Sequence, residues 1–181
     1  MIIIWRKKKL SDEKFAFKLI LTGNAGVGKT SLIRRYADNK FEMNQKPSIG
    51  ADFTIKAVNL KKYQVIFTIW DIGGQPMFDS LRNYYYSGSD AGIIVFDVIN
   101  AESMAAIREK WLPEMRSIGE IPVIILGNKI DLKNERVVSS KDCEDLAKEL
   151  GLYVYETSAK TGEKVNDAFH CIAKLCMGDK P

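Results

Sequence analysis

The sequence predicts an α/β fold with a mostly parallel six-stranded sheet, one antiparallel edge strand and helices on both faces. Apolar strand-like runs alternate with segments of helical period along almost the whole chain, the pattern of strands joined by helical crossovers. With 181 residues, 46% hydrophobic and 28% charged, the chain is long enough for one domain with its own core. No apolar run approaches the roughly 18 residues of a membrane-spanning helix, so we do not expect a transmembrane protein.

Six apolar runs have the length of strands. The second and third flank a tight Lys61-Lys62 connection, which indicates a hairpin. In the second run Phe53, Ile55 and Ala57 alternate with polar residues, so we expect a wet face and these three side chains on the other. The fourth and fifth runs are continuously apolar, which is typical of parallel strands covered on both faces. In chain order the six runs are Phe15–Thr22, Asp52–Leu60, Tyr63–Trp70, Gly92–Val98, Val123–Leu126 and Leu152–Tyr155.

Helical segments fill the gaps between these runs. Residues 139–142, SSKD, are typical of a capping box that opens a helix, and Gly151 is its expected stop. Two apolar stripes at helical spacing are interpreted as core, and we expect Pro113 to kink the first of them. The stripes are Met104, Ile107, Trp111 and Met115, and then Val165, Ala168, Phe169, Ile172 and Leu175.

The turn after the first strand predicts a phosphate-binding loop. Residues 23–30, GNAGVGKT, fit the pattern GxxxxGK(S/T) between a strand and a helix. Glycine lets successive backbone N–H groups turn towards phosphate oxygens, and the helix N-terminus adds its positive dipole end. Lys29 would bridge the β- and γ-phosphates, and the Thr30 hydroxyl would bind Mg²⁺. The nucleotide-binding residues expected here are Asn24, Ala25, Gly26, Val27, Gly28, Lys29, Thr30 and Ser31.

A second motif, residues 128–131 with the sequence NKID, follows the fifth strand and predicts which base of a nucleotide is bound. The Asp131 carboxylate can accept from both N1–H and the 2-amino group of guanine, whereas adenine has no donor at either position. Asn128 can tie this loop to the phosphate-binding loop or reach the base. The aliphatic stem of Lys129 can cover one face of the ring.

A third motif, residues 157–160 with the sequence TSAK, follows the last strand. The Ala159 backbone N–H can donate to guanine O6, and Ser158 and Lys160 complete the expected base site. Ligands of such sheets bind at the carboxyl ends of the strands, so the three motifs in this order predict a guanine nucleotide site.

Residues 70–75, WDIGGQ, supply candidate groups for metal binding and hydrolysis. Asp71 ends a strand and can hold Mg²⁺ through a water, the Gly74 N–H can sense a γ-phosphate, and the Gln75 amide can orient an attacking water. Ser48, in the polar segment after the first helix, can close the Mg²⁺ shell. Expected metal ligands are therefore Thr30, Ser48 and Asp71, and expected catalytic residues are Gln75 and Lys29.

These motifs resemble the Ras-superfamily small GTPases over roughly Phe15 to Cys176, and the chain is most similar to the Rab family. The similarity rests on the segments IGADF at 49–53, WDIGGQ at 70–75, GNKIDL at 127–132 and ETSAKTGE at 156–163. Residues 72–76, IGGQP, resemble the second switch of Arf-like GTPases instead. The resemblance implies a P-loop GTPase fold that uses Mg²⁺, with GTP as substrate and GDP as product.

The resemblance also implies a switch in which GTP orders two loops, about residues 38–50 and 71–87, and hydrolysis releases them. Phe41 would pack edge-on against guanine. Phe53, Trp70 and Tyr85 match an aromatic triad offered to effector proteins, with core packing as the alternative. An exchange factor and a GTPase-activating protein are further implied partners, and membrane or vesicle traffic is the implied role.

Four residues depart from the family pattern. Ser48 replaces the usual threonine, Gln45 stands where an aromatic often covers the γ-phosphate, and Ala25 occupies a position of the phosphate-binding loop where a side chain can crowd the site for an arginine finger. Pro76 fixes a backbone angle beside the expected catalytic glutamine. We expect nucleotide binding to survive these changes and the hydrolysis rate to be the property that they affect.

Two other functions compete with a GTPase switch. One is a nucleotide-holding module of the same fold with little intrinsic hydrolysis, for which Ser48 and Pro76 leave room. The other is a P-loop kinase that uses ATP on a small molecule. Asp131 and the lack of an evident second-substrate lid argue against the kinase.

Charge, cysteines and histidine exclude several functions. The formal net charge of +4 comes largely from residues 6–9, RKKK, so we expect no nucleic-acid partner. Cys143, Cys171 and Cys176 include no CxxC pair and are interpreted as reduced thiols of a cytoplasmic protein. The single histidine, His170, is expected on a helix surface, which removes support for Ser-His-Asp and zinc chemistry.

We expect an apolar and basic extension over residues 1–13, a GTPase domain over 14–177 and a short tail over 178–181. The last cysteine lies too early for a C-terminal prenylation box, so either a tail was removed or the protein reaches membranes otherwise. Residues 1–9 pair an apolar cluster with four cations and suit a weak interfacial anchor on anionic lipid; a solvated tail or an added edge strand is the alternative.

Overall fold

A computed structural model describes residues 8–11, 13–43, 48, 50–75 and 79–181. Residues 1–7, which carry most of the hypothetical N-terminal anchor, lie outside the described residues, as do Gln45 and Pro76. The strands are β1 Lys8–Ser11, β2 Lys14–Thr22, β3 Ala51–Asn59, β4 Gln64–Ile72, β5 Ala91–Asp97, β6 Val123–Asn128 and β7 Tyr153–Glu156. The helices are α1 Lys29–Asp38, α2 Asp79–Tyr86, α3 Ala101–Ala106, α4 Leu112–Ser117, α5 Ser140–Leu150 and α6 Val165–Met177.

The expected six-stranded sheet is confirmed, in the order β3-β4-β2-β5-β6-β7. The β3–β4 pair is antiparallel, and the other pairs along this path are parallel. Every residue of β5 and β6 is buried, as their continuous apolar runs predict. The parallel arrangement brings the carboxyl ends of β2, β4, β5, β6 and β7 to one edge of the sheet.

The short strand β1 is an addition to the expected sheet. It pairs antiparallel with the start of β2, with Lys8 opposite Ala16 and Ser11 opposite Lys14. The added-edge-strand alternative therefore holds for residues 8–11. The Gln64 N–H donates to the Glu13 carbonyl at 2.7 Å, which ties the β1–β2 turn to the β3–β4 hairpin.

Two apolar clusters cover the two faces of the sheet. One packs α1 and α6 against the sheet and includes a stacked Tyr36–Phe169 pair with ring centroids 3.8 Å apart. The other packs α3, α4 and α5 on the opposite face around Trp111 and Leu146. The predicted helical stripes lie in these clusters, so their interpretation as core is confirmed.

The face predicted for β3 is wrong. Phe53 and Ile55 are 55% and 63% exposed, while Thr54 and Lys56 are half-buried and the Lys56 ammonium donates to the Ala37 carbonyl of α1 at 2.7 Å. Alternation defines two faces of a strand, but not which face a helix covers. Here the long stem of Lys56 spans the covered face and keeps its charge hydrogen-bonded.

Pro113 changes the helix without a simple kink. Between α3 and α4, residues Ile107–Trp111 form a π-helical segment, in which the Leu112 N–H donates to the Ile107 carbonyl. Proline lacks the N–H of an ordinary helical turn, and the wider turn lies directly before it. Trp111 ends this segment.

Other local predictions are confirmed. Ser139 and Asp142 form a reciprocal capping box, and Gly151 ends α5 in a left-handed conformation. The three cysteines are free and buried, and burial raises the pKa of Cys143 to about 11. His170 is exposed on α6. No helix within the described ranges has the length and apolar character needed to cross a bilayer.

Candidate nucleotide-binding site

A cavity of about 480 Å³ opens at the carboxyl ends of the strands. Most of the residues predicted for a nucleotide site form its wall: Ala25, Gly26, Gly28, Lys29, Thr30, Ser31, Phe41, Ser48, Gly74, Gln75, Asn128, Lys129, Asp131, Ala159 and Lys160. Four others are not part of this wall: Val27, Asp71 and Ser158 are buried, and Asn24 is half-buried. Glu42, Met43, Gly73 and Leu132 also line the cavity and were not predicted.

The phosphate-binding loop, residues 23–30, depends on glycine at two close approaches. Gly28 caps α1 with φ 97°, and a Cβ there would lie 2.4 Å from the Asn128 side-chain nitrogen. A Cβ on Gly23 would lie 2.1 Å from the Val95 carbonyl oxygen. Both glycines let the loop pass directly over β5 and β6, which holds its N–H groups at the cavity.

Lys29 is a buried cation at the floor of the cavity. Its ammonium donates to the carbonyls of Gly23 and Asn24 at 2.8 and 2.9 Å. Burial lowers the pKa of Lys29 from 10.5 to about 8, and the Asp71 carboxylate acts in the opposite direction. The site therefore holds a positive charge that lacks full compensation, which suits polyphosphate.

Three oxygen-bearing side chains converge beside Lys29, as the metal prediction requires. The Thr30 hydroxyl hydrogen-bonds to Asp71 Oδ2 and lies 2.6 Å from the Ser48 hydroxyl oxygen. The Ser48 hydroxyl also donates to Asp71 Oδ2, at 3.0 Å. Asp71 Oδ1 is buried without a hydrogen-bond partner among the described residues. One carboxylate and two hydroxyls are hard oxygen ligands that fit Mg²⁺.

Gly74 packs directly on the phosphate-binding loop. A Cβ at Gly74 would lie 2.4 Å from the Gly23 carbonyl oxygen and 2.6 Å from the Ala25 nitrogen. Only glycine permits this approach. The contact places Gln75 at the cavity wall.

The buried Asn128 side chain joins three loops. Its amide nitrogen donates to the Val27 carbonyl at 2.9 Å, and its oxygen accepts from the Ala159 N–H at 3.1 Å. Of the two roles left open for Asn128, the structure shows the contact with the phosphate-binding loop. The Ala159 N–H, expected to face guanine O6, donates to Asn128 here.

Two side chains orient the other base-site residues. The Ser158 hydroxyl donates to Asp131 Oδ1 at 2.6 Å, which leaves Oδ2 for a ligand. The Lys129 ammonium lies 2.5 Å from Asp97 Oδ2, an ion pair that fixes the stem of Lys129 along the cavity wall.

Sequence reasoning missed Asp97 and Arg35. The Arg35 guanidinium donates to the carbonyls of Ala159 and Lys160 at 2.7 and 2.6 Å and to the Asn39 carbonyl at 3.0 Å. It thus ties α1 to the base loop, a contact across more than 120 residues that no local motif encodes. The position of Asp97 at the end of β5 was the available indication for its role.

The expected effector aromatics form one cluster away from the cavity. The Phe53 and Trp70 ring centroids lie 5.5 Å apart, and those of Trp70 and Tyr85 lie 6.1 Å apart. Phe53 is exposed, whereas Trp70 and Tyr85 are half-buried. Exposed Tyr84 extends the cluster, with its ring centroid 5.8 Å from that of Tyr85, and exposed Ile55 lies on the same face of β3 as Phe53.

Comparison with known proteins gives a consistent family. The family model described as Ras family matches residues 18–177. The chain is 40% identical to Ras-related protein RABG3b of Arabidopsis thaliana over 172 residues, 90% of this chain and 84% of the relative. It is 41% identical to Ras-related protein Rab5 of Nicotiana tabacum over 91% of this chain and 82% of the relative. It is 40% identical to Ras-related protein Rab-30 of Homo sapiens over 88% of this chain and 79% of the relative.

The lowered pKa of Lys29 predicts proton uptake when phosphate binds. At pH 9 the amine of the ligand-free protein is mostly neutral because its pKa is about 8, and the phosphate charges restore the ammonium. We expect uptake of nearly one proton (~0.9) per GDP at pH 9 and little uptake at pH 7, with affinity falling as the pH rises above 8. Calorimetry in buffers of different ionisation enthalpy measures this, and Lys29→Arg, which stays charged, should abolish the uptake. Equal uptake by both proteins contradicts the prediction.

The Arg35 contacts predict faster nucleotide release when the guanidinium is removed. Arg35→Lys keeps the charge but loses the planar set of donors to the base loop, so we expect GDP to dissociate at least about tenfold faster. The dissociation rate of a fluorescent GDP measures this. Arg108→Lys is the matched control, since Arg108 forms an exposed ion pair with Glu149 and neither residue lines the cavity. Identical rates for the two variants would remove Arg35 from the site.

Proposed function

Because the chain belongs to the Ras family of small GTPases, we propose that it is a Mg²⁺-dependent switch that binds GTP and GDP and hydrolyses GTP to GDP and phosphate. The Rab-like character of the chain supports a task in vesicle traffic. The observation that carries the proposal is that Lys29, Thr30, Ser48 and Asp131 line one cavity, while the buried Asp71 carboxylate behind its wall accepts from Thr30 and Ser48.

The residues of the site have distinct tasks in this proposal. The N–H groups of the phosphate-binding loop and Lys29 bind the β- and γ-phosphates. Thr30, Ser48 and Asp71 would hold Mg²⁺, which when bound neutralises phosphate charge. The Gln75 amide orients the attacking water, since Gly74 holds it at the cavity wall. Asp131 accepts from N1–H and the 2-amino group of guanine, Ser158 orients it, and Phe41 packs edge-on against the base.

Regulation and partners follow from the two loops beside the cavity. The γ-phosphate would order residues around Ser48 and residues 74–75, which connect to the aromatic cluster of Phe53, Trp70 and Tyr85. This cluster is the proposed docking surface for effector proteins, and exposed aromatics suit such a surface. We include an exchange factor, a GTPase-activating protein and peripheral association of a cytoplasmic protein with membranes in the proposal. We place the GTPase domain at residues 14–177, with extensions on either side.

The nucleotide that the purified protein releases on denaturation tests the proposal. We expect close to one guanine nucleotide per chain, mostly GDP. Mostly GTP would favour a nucleotide-holding module with little hydrolysis, and ATP or no nucleotide would overturn the base assignment. Asp131→Asn should shift the preference from GTP towards XTP, because an amide can donate where xanthine accepts. Asp145→Asn, at an exposed ion pair with Lys141, should leave it unchanged.

Gln75 gives a separate prediction for hydrolysis. Gln75→Leu removes the group that orients water, so the single-turnover rate should fall at least about tenfold while GDP affinity stays the same. Gln64→Leu is the matched control, since Gln64 lies at the start of β4 and its amide donates to Asn59. A Gln75→Leu rate equal to that of the control would exclude Gln75 from the mechanism.

A further inference from the structure

A buried polar network lies between α2 and the phosphate-binding loop. Arg82 of α2 and Trp111 of the π-helical segment are each only 1% exposed. The Arg82 guanidinium carbon lies 5.0 Å from the Trp111 ring centroid. Arg82 Nε also lies 3.2 Å from Glu114 Oε2 on α4. A buried cation held between an aromatic face and a carboxylate fixes the position of α2 against this segment.

The other edge of the Trp111 ring reaches the phosphate-binding loop. Its indole N–H donates to Asn24 Oδ1 at 2.7 Å. The Asn24 carbonyl accepts from the Lys29 ammonium at 2.9 Å. Gly74 packs on the same residue, since a Cβ there would lie 2.6 Å from the Asn24 carbonyl carbon. Asn24 is therefore the point where Trp111, Lys29 and Gly74 meet.

A second branch of the network reaches the start of the same loop. The Tyr86 hydroxyl of α2 lies 2.7 Å from the Thr22 hydroxyl oxygen and donates to Glu114 Oε2 at 3.3 Å. Thr22 directly precedes Gly23. Both branches share Glu114, so α2 is connected to the phosphate-binding loop at Thr22 and at Asn24. The charge of Arg82 also contributes to the lowered pKa of Lys29.

We propose that Trp111 is a positioning residue for the phosphate-binding loop, and that Arg82 couples the position of α2 to the loop through the Trp111–Asn24 hydrogen bond. This proposal rests on the proposed GTPase function and adds a route by which α2 acts on the reaction. The indole holds Asn24, and the Asn24 carbonyl holds the Lys29 ammonium. The π-helical turn brings the indole N–H within hydrogen-bonding distance of the Asn24 side-chain oxygen.

The network acts on the hydrolysis rate more than on affinity. Neither Arg82 nor Trp111 is part of the described cavity wall, so their loss removes no direct contact to a nucleotide. What they set is the placement of Lys29 and Gly74 relative to each other, and this placement matters most when charge develops on the phosphate oxygens.

Two variants remove the two links separately. Trp111→Phe keeps an aromatic face for Arg82 but lacks the N–H, and Arg82→Gln removes the cation. We expect each to lower the single-turnover rate about 3- to 10-fold, the effect of one hydrogen bond, with GDP affinity within about twofold of the unmodified chain. The double variant should be slower than the slower single variant by much less than the product of the two effects, since the two links share the route through Asn24. Arg82→Lys, which keeps a cation over the ring, should recover most of the rate.

Arg108→Gln is the matched control. Arg108 lies on the same π-helical segment but forms an exposed ion pair with Glu149 at 2.5 Å, so its loss should leave the rate unchanged. Thermal unfolding of each GDP-bound variant accompanies the kinetics. Rates that fall together with affinity and melting temperature would show a structural role only and overturn the proposal. So would a Trp111→Phe variant that hydrolyses GTP at the unmodified rate.

The indole N–H resonance of Trp111 provides a readout independent of turnover. The chain has three tryptophans, and Trp111→Phe assigns the resonance by its disappearance. We expect it to differ between the complexes with GDP and with a non-hydrolysable GTP analogue, and Arg82→Gln, but not Arg108→Gln, to reduce the difference. An unchanged resonance refutes the coupling even in a chain that hydrolyses GTP. A chain without hydrolysis refutes the proposed activity, while a nucleotide-dependent resonance would still support the coupling.

Discussion

The side-chain amide of Asn128 is the contact on which the rest of the site depends. It donates to the Val27 carbonyl of the phosphate-binding loop and accepts from the Ala159 N–H of the base loop. Both contacts are buried, so leaving either partner unpaired carries the full cost of a buried polar group. The amide therefore sets the distance between the groups that face phosphate and the groups that face the base. It can do so because β6 ends at Asn128, next to β5 and β7.

Close backbone packing supplies the second constraint. Gly23, Gly28 and Gly74 each approach a neighbouring loop or strand so closely that a Cβ would overlap it. With no side chains between them, the phosphate-binding loop and residues 73–75 form one layer over the sheet. Lys29 is buried beneath this layer and keeps its hydrogen bonds to backbone carbonyls. A small displacement of Gly74 is therefore a displacement of the groups around Lys29.

The same packing connects the site to the outer surface. The β3–β4 hairpin carries Asp71 at the cavity and, one residue earlier, Trp70 in the aromatic cluster. Helix α2 contributes Tyr85 to that cluster and Arg82 and Tyr86 to the buried network. A rearrangement of the chain around Ser48, or of residues 73–75 before α2, would therefore change both the cavity and the exposed aromatics.

The sequence by itself determined the fold class, the six strands of a mostly parallel sheet and the motifs of the cavity, because each strand and each motif is a run of chain neighbours. Residues 23–30, 128–131 and 157–160 needed only local spacing and the rule that parallel strands share a carboxyl edge. Tertiary structure alone decided which side of β3 is covered. Alternation along a strand defines two faces without indicating which one a helix covers, and here α1 covers the face of Lys56. It also decided the contacts of Arg35 with Ala159 and of Trp111 with Asn24, which join residues 124 and 87 positions apart. Those pairs depend on how helices pack across the sheet, and no periodicity along the chain records that packing.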